Sequence, residues 1–126
     1  MTEPLWIEER DAIALHDRLL ALHGGAVGIR DDGLLKSALA RPQQIYVYAD
    51  APDLMELAAA YTGGLVRNHP FIDGNKRTGF VVGILFLELN GYRFSANEAD
   101  ATQAVLALAA GTLDEASYAA FLHANT

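Results

Sequence analysis

Apolar residues recur along this chain at helical spacing, in stretches separated by turn-forming residues. Ile13, Leu15, Leu19, Leu20 and Leu22 give a broad apolar face to a helix predicted from Ile7 to His23, which Gly24-Gly25 stops. The next segment, GGAVGIRDDG, is rich in turn residues and has no strand period. A short second helix is predicted from Gly33 to Arg41, capped by Asp31 or Asp32 and ended by Pro42. Pro52 and Asp53 open a third, which reaches Asn68. Its Gly63-Gly64 pair costs about 1 kcal/mol per glycine relative to alanine, and such a pair marks close approach to a neighbouring helix.

The fourth helix is predicted from Asn75 to Asn90, with Gly91 as its C-terminal cap. Phe80, Val81, Val82, Ile84, Leu85, Phe86, Leu87 and Leu89 make it apolar on nearly all sides, which places it at the centre. Capping-box patterns at Ser95–Glu98 and Thr112–Glu115 start two last helices, 96–110 and 113–123, with Gly111 between them. Tyr92-Arg93-Phe94 suits one short extended piece, which makes no sheet. The expected class is all-α, a bundle of about six helices with a central buried helix.

The length of 126 residues fits one domain, 1–126, able to bury a sizeable core. A composition of 52% hydrophobic and 20% charged residues is that of a packed globule. The absence of cysteine excludes disulfides and thiolate metal sites. The acidic start, MTEPLWIEERD, does not read as a signal peptide, and the apolar run Gly79–Leu87 is far short of the roughly 20 residues that span a bilayer. A cytoplasmic protein with no membrane partner is expected. The net charge of −7 argues against nucleic acid as a direct ligand. Yet Arg67, Lys76 and Arg77, three of the nine cations, fall within eleven residues. That concentration points to a small bound anion.

They surround the segment His69–Arg77, HPFIDGNKR, which lies where the fourth helix begins. A helix start carries free N–H groups and the positive end of the helix dipole, so it favours anions. His69, directed out of the preceding helix towards extended backbone by Pro70, is a candidate general base. Phe71 and Ile72 read as anchors of the loop. Asp73 is either a helix cap or a ligand for Mg²⁺, a hard cation that favours carboxylate and phosphate oxygens. Gly74 removes a side chain where a phosphate approaches backbone. Asn75 suits either a cap or a phosphate contact, and Lys76 and Arg77 supply a point charge and a planar fork. His16, His23 and His123 lack such company and read as surface or boundary residues. GNKRT is not a Walker A loop, since Gly-Lys-Ser/Thr is not contiguous and no strand precedes it. Nor are His69 and Asp73 a helical metal pair, because Pro70 and Gly74 prevent a helix across them.

HPFIDGNKRTG resembles the signature of the Fic/Doc superfamily, HxFx(D/E)(G/A)N followed shortly by Arg. The early LHD followed by GG, and the apolar helix ending Leu-Asn-Gly, resemble its death-on-curing (Doc) branch. The resemblance implies transfer of a phosphate-containing group from ATP to a protein hydroxyl. His69 would be the base, Asp73 the Mg²⁺ ligand, and Gly74, Asn75, Lys76 and Arg77 the anion hole, with Arg67 at a basic position shared with Doc. Enzymes of the superfamily that transfer AMP usually carry Gly at the position of Lys76 and a second Arg at that of Phe80. In Doc-like members the reversed nucleotide presents its γ-phosphate, and a Thr of elongation factor Tu is phosphorylated. The inhibitory (S/T)xxxE(G/N) helix of the superfamily has no counterpart in this sequence. A separate Phd-like antitoxin is therefore the implied partner. AMP transfer and a non-catalytic binding module are the alternatives.

Overall fold

Asp53 sets the start of the helix on which the others pack, its carboxylate accepting the Glu56 amide proton at 2.8 Å. The computed structural model describes residues 3–126. In chain order the helices are α1 (Glu9–His23), α2 (Asp32–Tyr48), α3 (Leu54–Asn68), α4 (Asn75–Leu89), α5 (Glu98–Ala110) and α6 (Glu115–Ala124). Among the described residues there is no strand, and Tyr92–Phe94 forms none. The expected all-α class and helix number hold. None of these helices is long and apolar enough to cross a membrane.

The central helix is α3, not α4. Every residue from Leu57 to Val66 is buried, and α2, α4, α5 and α6 all pack against it. On α4, Phe80, Val81, Ile84 and Leu85 are only half-buried. Phe80, Ile84 and Leu85 pack on the edge of the core, and Phe80, Val81 and Ile84 also line a cleft. The face of α4 that meets α3 carries Gly79 and Gly83, one turn apart. A Cβ on Gly83 would sit 2.3 Å from Thr62 Oγ1 and 3.1 Å from the Ala58 carbonyl oxygen. Thr62 Oγ1 donates across the same contact to the Gly79 carbonyl at 2.8 Å. Backbone thus lies nearly on backbone here, and this close approach fixes the start of α4 against the end of α3.

Pro42 does not end α2, which continues to Tyr48. A helical proline costs about 3 kcal/mol. Burial of Leu35, Ala38, Leu39 and Pro42 offsets that cost, since a buried leucine alone contributes about 1.5–3 kcal/mol. Gly64 lets α2 approach, a Cβ there falling 3.2 Å from Ala38 Cβ, as the glycine pair predicted. α1 begins at Glu9, where Asp11 accepts the Glu8 amide proton at 3.0 Å. The last two helices start on caps other than those expected. Asn97 accepts from the Asp100 amide and Asp114 from the Ser117 amide, each at 2.8 Å. Thr112 Oγ1 instead donates to Ala107 O at the end of α5.

Gly83→Val is expected to lower stability by about 3 kcal/mol, because neither a backbone carbonyl nor a hydrogen-bonded hydroxyl can withdraw cheaply. Urea unfolding followed by circular dichroism reads this, and an unchanged midpoint would show that the crossing is loose.

Candidate active site

The chain leaves α3 at His69, whose φ of 49° and ψ of 54° lie in the left-handed region. Pro70 predicted extended backbone, so this is a correction. The left-handed residue turns the chain out of the helix in a single step, at about 1–3 kcal/mol for a non-glycine residue. The α1–α2 connection holds it there. Arg30 Nε donates to His69 O at 2.6 Å and Arg30 Nη2 to Asn68 O at 2.8 Å. The amides of Arg30 and Asp31 both donate to Pro70 O, at 2.7 and 3.0 Å. The Ile72 amide donates to Gly28 O at 3.1 Å, and Ile29 and Phe71 form an isolated antiparallel bridge. A segment that reads as a plain turn is therefore the outer wall of the motif loop.

The inner wall is α1. Phe71 is buried, the anchor it was expected to be. Its ring stacks on His16, with centroids 3.8 Å apart and planes inclined by 7°. His16 is 1% exposed, not a surface or boundary residue. Its Nε2 lies 2.8 Å from Asp73 O, so that nitrogen carries the proton and donates. Ala12, His16 and Leu20 form the buried stripe of α1 at i, i+4, i+8. That spacing is the sequence signal which could have placed the histidine inward. Ile72 anchors nothing deep, being 55% exposed. His23 is exposed, as expected, and so is His123, which meets Asp53 at 2.9 Å.

Asn75, nearly buried, is neither a cap nor free for a phosphate. Its Oδ1 accepts the Phe71 amide proton at 2.9 Å and its Nδ2 donates to Phe71 O at 3.0 Å. Those two bonds fix the amide so that its NH₂ faces His69 Nδ1 at 3.4 Å. A contact that long holds an exposed ring weakly. Base action at Nε2 requires the tautomer with the proton on Nδ1, reached by turning the ring off the amide.

With Asn75 so occupied and Gly74 as the N-cap at φ 78°, no side chain closes the start of α4. The helices α2, α3, α5 and α6 have capping side chains from Asp31, Asp53, Asn97 and Asp114. The first-turn amides of α4 are left for an anion. Lys76 and Arg77 stand exposed on that turn and, among the described residues, form no ion pair. They edge a cleft of about 700 Å³ walled by Leu19, His23, Phe80, Ile84 and Phe94. Arg67 is not brought to this place. It meets Glu115 on α6 at 3.1 Å, beside Arg41, which pairs with the same carboxylate.

Asp73 is exposed and does not cap α4. One carboxylate oxygen accepts the Ala26 amide proton at 3.2 Å and the other that of Gly74 at 2.8 Å. These two backbone donors, Ala26 first, hold its pKa below the usual carboxylate value, with a smaller pull from Arg77. An ionised oxygen pair with lone pairs to spare suits Mg²⁺. Among the described residues no group of three or more acidic or histidine side chains converges on a metal position. Mg²⁺ fits such a place, because it takes few carboxylates and fills its shell with phosphate oxygens and water.

In this helical bundle an exposed histidine lies beside an open, cationic helix start. The profile of the Fic/DOC family matches residues 6–87. The chain is 45% identical over 75 residues to "Toxin Doc" of Mycolicibacterium smegmatis, covering 59% of this chain and 58% of that relative, less than two thirds of its length. It is 38% identical over 85 residues to "Protein kinase doc" of Escherichia phage P1, covering 68% of each. This chain belongs to the Fic/DOC family.

Two outcomes test the site. Asn75→Ala leaves the buried Phe71 amide and carbonyl unpaired, at about 1–3 kcal/mol for each group. Thermal unfolding should show that loss, whereas a wild-type midpoint would mean the clasp is dispensable. Because folding lowers the pKa of Asp73, its stabilising contribution is complete above the ordinary carboxylate value and is lost as pH falls through the folded one. Titration of its side-chain carbon by NMR should give a midpoint below that of a free aspartate, and one at or above it would contradict these bonds.

Proposed function

We propose that this chain is a Doc-like toxin, a protein kinase that moves the γ-phosphate of ATP to a Ser or Thr hydroxyl. The observation that carries the reading is the uncapped start of α4 beside His69, with Lys76 and Arg77 exposed there and in no ion pair among the described residues. One relative, from Escherichia phage P1, is named a protein kinase, which supports the same chemistry. By family resemblance the acceptor belongs to a translation factor, elongation factor Tu, whose modification stops translation in the cytoplasm. A Phd-like antitoxin would keep the toxin silent.

Bound ATP would supply the phosphoryl group, and Mg²⁺ would offset its negative charge. The first-turn amides and the Lys76 and Arg77 side chains would hold the phosphate oxygens, and Asp73 would hold the metal. His69 Nε2 takes the proton of the acceptor hydroxyl as its oxygen bonds to the γ-phosphorus. The bond from that phosphorus to the β,γ-bridging oxygen breaks, and ADP leaves with the electron pair. Asn75 and His16 keep the loop in shape by fixing Phe71 and the Asp73 carbonyl.

Phe80 weighs against AMP transfer. It stands where AMP-transferring members usually carry a second arginine, and here it packs edge-on to Phe94 at 5.9 Å and 74°. Purified protein with cell extract and ATP labelled at the γ or α position separates the cases. Label from γ only, with a mass gain of about 80 Da on the target, is the expected result. Label from α, with about 329 Da, would replace it by AMP transfer. His69→Ala should lower the rate by roughly 10²–10⁴-fold and abolish growth arrest. Undiminished arrest by that variant would indicate a non-catalytic binding module.

A further inference from the structure

The exposed Arg30 side chain spends its guanidinium on two main-chain carbonyls, Asn68 O and His69 O, at 2.8 and 2.6 Å. These oxygens flank the left-handed turn at His69, and the backbone amides of Arg30 and Asp31 hold the next carbonyl, Pro70 O. Three successive carbonyls are thus gripped from the α1–α2 connection. They lie at the C-terminal end of α3, where the helix dipole is negative and a cation is favoured. A planar guanidinium reaches two adjacent oxygens at once, which an ammonium does not. Without that fork, the carbonyls on either side of the His69 α-carbon lose their side-chain partner, the backbone grip begins only at Pro70 O, and the ring has only the long contact to Asn75.

We infer that Arg30 is a positioning residue for His69, fixing where the imidazole stands relative to the α4 N-terminus. This rests on His69 acting as the base in the proposed transfer. The side-chain bonds of Arg30 go to the backbone at His69 and not to Lys76 or Arg77, so its part is in the chemical step and not in nucleotide binding. A base displaced by about an ångström loses on the order of 10²-fold in rate.

The test compares wild type, Arg30→Ala and Arg30→Lys, using γ-labelled ATP and the modified target, with thermal unfolding to verify that each variant is folded. For Arg30→Ala, kcat should fall about 10²-fold while KM for ATP stays within about twofold. Arg30→Lys, able to bond one carbonyl, should recover part of the loss, and millimolar guanidinium should partly rescue Arg30→Ala. A wild-type kcat in Arg30→Ala, or a defect confined to KM for ATP, would overturn the inference. A second readout is independent of turnover: the φ-sensitive amide–α-proton coupling of His69, measured by NMR. It should leave its left-handed value in Arg30→Ala and keep it in wild type. If wild type transfers no label, the kinase reading fails and this coupling alone decides, an unchanged value in Arg30→Ala overturning the inference. Should Arg30→Ala not fold, the same kcat and coupling comparisons are made with Arg30→Lys.

Discussion

Two hydrogen bonds between the Asn75 side chain and the Phe71 backbone are the contact on which the rest of the site depends. They draw the loop into a closed turn directly before α4 and consume the side chain that would otherwise cap that helix. The outcome is an unusual economy of polar groups. The most buried polar side chain of the loop is spent on shape, and the first-turn amides are left for a ligand. A helix beginning on glycine has no capping side chain for its first amides, a deficit of a few tenths of a kcal/mol. Here the deficit is tolerated because the crossing of Gly79 and Gly83 on Thr62 and Ala58 fixes α4 independently of its cap.

The loop is held from two sides by groups distant in sequence. From α1 come the stacked His16 ring and its bond to Asp73 O. From the α1–α2 connection come the Arg30 fork, the amides of Ala26, Arg30 and Asp31, and the Gly28 carbonyl. Almost all of these contacts fix main chain or the Asp73 carboxylate, leaving the His69 ring, Lys76 and Arg77 exposed. Rigid backbone beneath exposed side chains is the arrangement that a transfer site needs, since orientation must be set before the reactants arrive.

Much of this was legible from residue types alone. Helical spacing, the Asp53 cap, the Gly63-Gly64 approach and the motif from His69 to Arg77 rest on local chemistry that the chain displays directly. What was misread depended on partners far along the chain. Pro42 reads as a stop because the packing that offsets its cost lies on α3. His16 reads as a surface residue because its stacking partner is Phe71. Arg67 looked like part of the anion site by proximity in sequence, but helical geometry turns it towards Glu115. Arg30 carried no signal at all, being one cation in a turn whose meaning lies in three carbonyls found nearly forty residues later.

The most direct measurement is a crystal structure with Mg²⁺ and a non-hydrolysable ATP analogue. Phosphate oxygens should lie on the first-turn amides of α4 and on Lys76 and Arg77, with the metal on Asp73 and the outermost phosphate nearest His69. Phosphates seated elsewhere, for example against Arg41 and Arg67, or an analogue that leaves the start of α4 to solvent, would contradict it.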